Sequence, residues 1–240
     1  MIRPVRFLSL FLTVTVSTAA AFTALPAHAV ILDATGDFLS IYIGPLAGDL
    51  DVTAVDAILS GTGEVTLSGT HAAPIGTTAG AAYIWGIDRG AGTEALAALD
   101  PPAGQGVTFD SIVALAPNGT GAFIDLVLGG APQALDPSSI SIAGSTISVT
   151  LTEALMPSQG FAFADYRYNL WPRFAPGGAN PADNTQISDF APDASTFTAS
   201  GPATSVPEPA GLGLLAGGIL TMAAIRRRRE PAGKLLRRTA

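Results

Sequence analysis

An antiparallel all-β body, a jelly-roll-like β-sandwich, is the fold class the sequence predicts for residues 30–195. Three observations predict it. Several stretches alternate apolar and polar residues with period two, as half-buried strands do. Turn-forming residues are abundant, 27 Gly and 18 Pro in 240 residues, which suits many short strands and argues against a helical protein. No stretch of the body sustains a 3.6-residue apolar period. The chain also has no Cys. Disulfides, thiol nucleophiles and Cys-based metal sites are therefore excluded, and the core alone holds the body together.

The elements follow in order. Phe38-Leu39-Ser40-Ile41-Tyr42-Ile43 alternates and predicts a first strand. Val65-Thr66-Leu67 predicts a short strand between Gly61 and Gly69. Residues 93–99, closed by Asp100-Pro101-Pro102, form the one helix expected in the body. Val107-Thr108-Phe109-Asp110-Ser111-Ile112-Val113 predicts a further strand, joined to residues 122–128 by an Asn118-Gly119 hairpin turn in which both residues take positive φ. Ile140-Ser141-Ile142 and residues 146–151 flank Ala143-Gly144-Ser145 and read as a second hairpin. Turns recur at the spacing of a sandwich. Residues 196–205 are, Phe197 apart, all Ser, Thr, Ala, Gly and Pro and read as a flexible stalk.

Both termini read as addresses. Arg3 and Arg6 precede an apolar run over residues 7–22, and Pro26-Ala27-His28-Ala29 follows. Ala27 and Ala29 are the small residues a signal peptidase reads, so residues 1–29 are expected to be a signal peptide handled by the Sec machinery and cleaved after Ala29. At the other end, Val206, Pro207, Glu208 and Pro209 precede a 16-residue uncharged apolar run, residues 210–225, which is closed by Arg226, Arg227, Arg228 and Arg229. As a helix the run would be about 24 Å long. That is slightly short of a bilayer core, and arginines that snorkel to the interface make up the difference. A single C-terminal transmembrane helix is therefore expected, with its arginine side in the cytoplasm. Residues 230–240 form a basic cytoplasmic tail, and the body lies across the membrane, where the signal peptide would deliver it.

This tail resembles the PEP-CTERM sorting signal over residues 206–229: a Pro-Glu-Pro triplet, a Gly- and Leu-rich apolar segment and an arginine cluster, in that order. The resemblance implies an exosortase as partner, a membrane protease-transpeptidase that cuts near the triplet in Gram-negative bacteria making exopolysaccharide. It also implies a precursor held in the inner membrane with its body in the periplasm, then delivery to the cell surface or extracellular matrix. The sequence departs from the usual pattern in residues 230–240, which continue past the arginines and carry Lys234, Arg237 and Arg238. Residues 83–90, 165–173 and 187–193 resemble recurring phrases of bodies attached to such tails, which implies no particular activity.

The body is strongly acidic, with seventeen Asp and Glu between residues 30 and 206 against Arg89, Arg167 and Arg173. Nucleic acid, which attracts basic patches, is a poor partner for it. His71 is the one histidine left after signal cleavage; it reads as a solvated turn residue, and no Gly-x-Ser-x-Gly elbow accompanies it. No cofactor is expected, and the chain has no EF-hand spacing; among ions calcium is the most credible, because it prefers several oxygen ligands. Asp183, Asp189 and Asp193 are its candidates, together with Asn184, and Asp33 and Asp37 form a second set. Asp165, Asp183, Asp189 and Asp193 lie near aromatics, as carboxylates do in sugar sites. Tyr166, Tyr168, Trp171 and Phe174 crowd around Arg167 and Arg173, and are expected to be a packed corner in preference to a carbohydrate platform. The functional expectation is a non-enzymatic, exosortase-sorted surface or matrix protein linked to exopolysaccharide and biofilm. The alternative is an exported carbohydrate-binding module or glycan hydrolase.

Overall fold

The structure is a computed structural model and describes residues 30–201 of the chain. The segments expected to be a signal peptide, a sorting motif, a transmembrane helix and a basic tail lie outside the described residues. Among the described residues no helix is long and apolar enough to cross a membrane.

Eleven strands build the body: β1 (Ile31–Leu32), β2 (Val52–Leu59), β3 (Glu64–His71), β4 (Ala81–Asp88), β5 (Ser111–Leu115), β6 (Gly121–Asp125), β7 (Gln133–Ala134), β8 (Ile140–Ala143), β9 (Thr146–Thr152), β10 (Arg167–Phe174) and β11 (Phe197–Thr198). They form two sheets, ordered β1-β2-β3-β9-β8 and β11-β10-β4-β5-β6-β7. Every strand pairing within them is antiparallel. Among the described residues helical structure is limited to three-residue 3-10 turns such as Gly48–Leu50 and Asn184–Gln186.

Period-two alternation decides what each strand buries. In β3, Val65 and Leu67 are fully buried, as are Ile147 and Val149 of β9. The opposite face of this pair carries hydroxyls, and Thr66 meets Thr150 at 3.0 Å while Thr70 meets Thr146 at 3.1 Å. Tyr83, Trp85, Ile87, Val113, Phe123, Tyr168 and Leu170 of the other sheet belong to the same hydrophobic cluster. The two sheets therefore share one core. Gly69 marks a close approach between them, since a Cβ there would collide with the Leu170 side chain.

The outer side of β4 and β10 is covered as well. Ile84 and Trp171 are buried with Leu96, Val107, Phe109, Ile187 and Phe190, and Leu39 and Ile41 pack against them. Loops supply this covering layer. Trp171 lies 5.1 Å from Phe109 and 5.8 Å from Phe190, ring to ring. Strands covered on both faces lose the alternating pattern, which explains the near-continuous burial along β4 and β10.

An ion network closes one end of the core. Arg89 is fully buried, and its Nε donates to Asp110 Oδ1 at 2.7 Å. Its Nη1 lies 2.9 Å from Asp125 Oδ2 and donates to the Pro157 carbonyl at 3.1 Å. Asp88 serves the adjoining turn, where it accepts from Gly90 N, Gly92 N and Thr108 Oγ1.

Several expectations need correction. Residues 38–43 form no strand. They turn, with Tyr42 N donating to Leu39 O, and lie against the late loop through Leu39 N to Ser188 O and Ile43 N to Thr185 O. Residues 93–99 are turns and a bridge: Thr93 pairs with Phe109, and Leu96 is drawn into the covering layer. The strand expected over residues 107–113 begins only at Ser111. At the Asn118-Gly119 turn only Gly119 takes a positive φ, of 81°, while Asn118 Oδ1 accepts from Thr120 N. The stretch expected to be stalk begins with β11, and Ser200 exchanges hydrogen bonds with Ala57 and Leu59. The body therefore extends to at least Ser200.

Candidate metal centre

Two loops from opposite ends of the body meet at one seam. The first leaves β1 and is fixed by Asp33 N donating to Thr53 O at 3.0 Å. It turns at Gly36, whose N–H donates to both carboxylate oxygens of Asp51 at 3.1 and 2.9 Å. The second follows residues 184–188. Ser188 Oγ donates to Leu50 O at 2.7 Å, and Leu170 and Ala191 exchange backbone hydrogen bonds. Asn169 Nδ2 then holds the Pro192 and Ser195 carbonyls at 2.6 and 2.9 Å, anchoring the loop to β10 on either side of Asp193.

These anchors bring Asp33, Asp37, Asp189 and Asp193 together, with one carboxylate oxygen of each within 4.8 Å of the others. Asp189 is wholly buried; its Oδ2 accepts from Val52 N at 2.8 Å and its Oδ1 from Phe190 N at 2.7 Å. Asp33 Oδ2 and Asp37 Oδ1 are shielded from solvent and accept no hydrogen bond among the described residues. The crowding marks the electrostatics. Burial, then the charges of Asp193 and Asp37, push the Asp33 carboxyl up to about 7. Burial pushes Asp189 up to about 8, with the charges of Asp33 and Asp37 adding to it against its two backbone hydrogen bonds. Asp193 is raised by burial and then by Asp37. Such an arrangement is costly as it stands and becomes favourable around a cation.

Of the sequence candidates, Asp189 and Asp193 reach this cluster and Asp183 does not. Asp183 instead caps its own turn, its Oδ1 accepting from Thr185 N at 3.0 Å and Thr185 Oγ1 at 2.6 Å. Asn184 is buried and donates to the Leu96 and Pro101 carbonyls. Asp33 and Asp37, read as a separate set, join the same site. Asp51 borders it and was not picked out in the sequence. The shared signal is an Asp-x-x-x-Asp spacing in both loops.

Other candidates resolve differently. His71 is no solvated turn residue; it ends β3, is 2% exposed, and packs edge-on to Tyr83 at 4.9 Å. Neither ring nitrogen meets a serine or aspartate side chain in hydrogen-bond range among the described residues. Burial pushes the imidazole down to about 4, partly offset by Asp49. Its folded value is thus depressed below that of the unfolded chain. The stability this concerns is full above about pH 6.5 and is lost as pH falls towards 4. His71→Leu should therefore match the acid sensitivity of wild type above pH 6.5 and resist acid better below it. Thermal melts of both proteins from pH 4 to 8 check this, and a difference that stays constant with pH contradicts it.

Tyr166, Tyr168 and Trp171 are buried, as a packed corner requires, and Arg173 donates to the Asn180 and Asp183 carbonyls. Arg167 is exposed and stacks over Phe161 at 4.8 Å. A cleft of about 610 Å³ lies between Ile31, Arg167, Ser195 and Phe197, and its lining holds no carboxylate. Searches against protein-family models and curated proteins find no match to the chain.

Proposed function

We propose that the chain is an exported surface or extracellular-matrix protein, non-enzymatic in its body and sorted by an exosortase. The observation that carries this is the three-part tail: Pro207-Glu208-Pro209, an uncharged run of 16 residues, and Arg226 to Arg229. The basic start, apolar run and Ala27-His28-Ala29 at the other end point to the same topology. The body fits a jelly-roll-like sandwich, a reading supported by the hydrophobic cluster common to both sheets. The burial of Tyr166, Tyr168 and Trp171 weighs against the alternative of a sugar-binding platform, and the absence of carboxylates from the cleft lining weighs against a glycan hydrolase working there. A link to exopolysaccharide and biofilm belongs to the same proposal.

The test is the intact mass and N-terminal sequence of the protein recovered outside the inner membrane. The expected product starts at Val30 and has lost the apolar run and the arginines. A product starting at Met1, or one retaining residues 210–240, contradicts the proposal.

A further inference from the structure

The seam between the first and last loops of the body gathers more carboxylates than it has partners for. Asp189 is a fully buried carboxylate with no cationic side chain in ion-pair range among the described residues. Two further oxygens, Asp33 Oδ2 and Asp37 Oδ1, are withdrawn from water and accept no hydrogen bond among the described residues. An unpaired buried acceptor or charge is costly, and native structures pair such groups or give them a metal. The body's cations lie elsewhere: Arg89 with Asp110 and Asp125, Arg173 on backbone carbonyls, Arg167 over Phe161.

We propose that Asp33, Asp37, Asp189 and Asp193 bind one calcium ion, which clasps the first loop of the body to the last. The donors are all oxygen, which selects a hard cation. Calcium–oxygen bonds of about 2.3–2.6 Å place any two ligands of one ion no more than about 5 Å apart. The four oxygens, all within 4.8 Å of one another, meet that limit. Magnesium demands a tighter octahedron at about 2.0–2.1 Å and keeps much of its water, so it fits a four-carboxylate seam less well. The ion would order the residues that cover Trp171, since Leu39 and Ile41 follow Asp37 while Ile187 and Phe190 flank Asp189. This inference does not depend on how the chain is sorted.

The test uses the full chain, purified in detergent and stripped with a chelator, then titrated with calcium chloride by calorimetry. One ion should bind. At free calcium about a hundredfold above the dissociation constant, the melting midpoint should rise by about 5–10 °C. Hydrogen exchange should slow most in residues 33–43 and 185–193. Asp189→Asn also disturbs two backbone hydrogen bonds, so Asp37→Asn and Asp193→Asn are the variants to use. Each should melt like the stripped wild type and bind calcium about tenfold or more weakly. A midpoint shift below about 1 °C, unchanged affinity in both variants, exchange slowed elsewhere, or equal affinity for magnesium would overturn the assignment.

Discussion

Replacing Arg89 with Met should cost the body about 3–5 kcal/mol and lower its melting midpoint by about 10 °C or more. Arg89 is fully buried and faces two carboxylates, Asp110 at 2.7 Å and Asp125 at 2.9 Å. Methionine fills much of the volume but carries no charge, so both acids would stay in place without their cation. Asp110 is itself 2% exposed. It keeps hydrogen bonds from Arg89 N, Ala91 N and Ser111 Oγ, which limits the damage without removing the buried charge. Asp125 shows the pairing from the other side: burial pushes its carboxyl up, but hydrogen bonds from Arg89, Leu128 and Val127 hold it below its ordinary value. Arg89→Lys should not restore the loss. A single ammonium cannot serve Asp110, Asp125 and the Pro157 carbonyl together as the planar fork does. Chemical denaturation of wild type, Arg89→Met and Arg89→Lys measures the effect. A loss under about 1 kcal/mol in Arg89→Met would mean that the network is surface-like in its energetics.

Local signals in the sequence were legible, and long-range packing was not. The β8–β9 hairpin could be read because its alternation and its glycine, Gly144 at φ 61°, lie within a few residues of each other. The apolar residues at 38–43 and 93–99 were misread because their partners are distant. Leu39 and Ile41 pack beside Trp171, about 130 residues away, and Leu96 joins the same layer. An alternating apolar run suits a loop that feeds two clusters as well as it suits a strand. Phe38 and Tyr42 serve the main core while Leu39 and Ile41 serve the covering layer. His71 looked like a turn residue beside Thr70 and Ala72, yet it continues the inward series Val65, Leu67, Gly69 along β3. That period-two register was the available signal. At the acidic seam the sequence pointed to Asp189 and Asp193 and separately to Asp33 and Asp37. Only the fold joins two segments more than 150 residues apart.

Replacing Pro207-Glu208-Pro209 with three alanines should abolish sorting and leave full-length protein in the inner membrane. Proline lacks a backbone N–H, and its ring clashes with the preceding helical turn, so the triplet interrupts any helix formed by residues 210–225 before it reaches the body. An interrupted, extended segment at the outer face of the membrane is what an outward-facing protease can grip. Alanine is the best helix former, so the variant should continue the helix and remove the grip along with the Glu208 charge. Arg226 to Arg229 remain, and each is costly to move through hydrocarbon. The variant should therefore stay anchored with its body correctly placed. The direct measurement is an immunoblot of inner-membrane, outer-membrane and medium fractions from cells expressing wild type or the triple-alanine variant. Wild type should appear shortened and outside the inner membrane, and the variant full-length and within it. A variant released and shortened just like wild type would contradict sorting through the triplet.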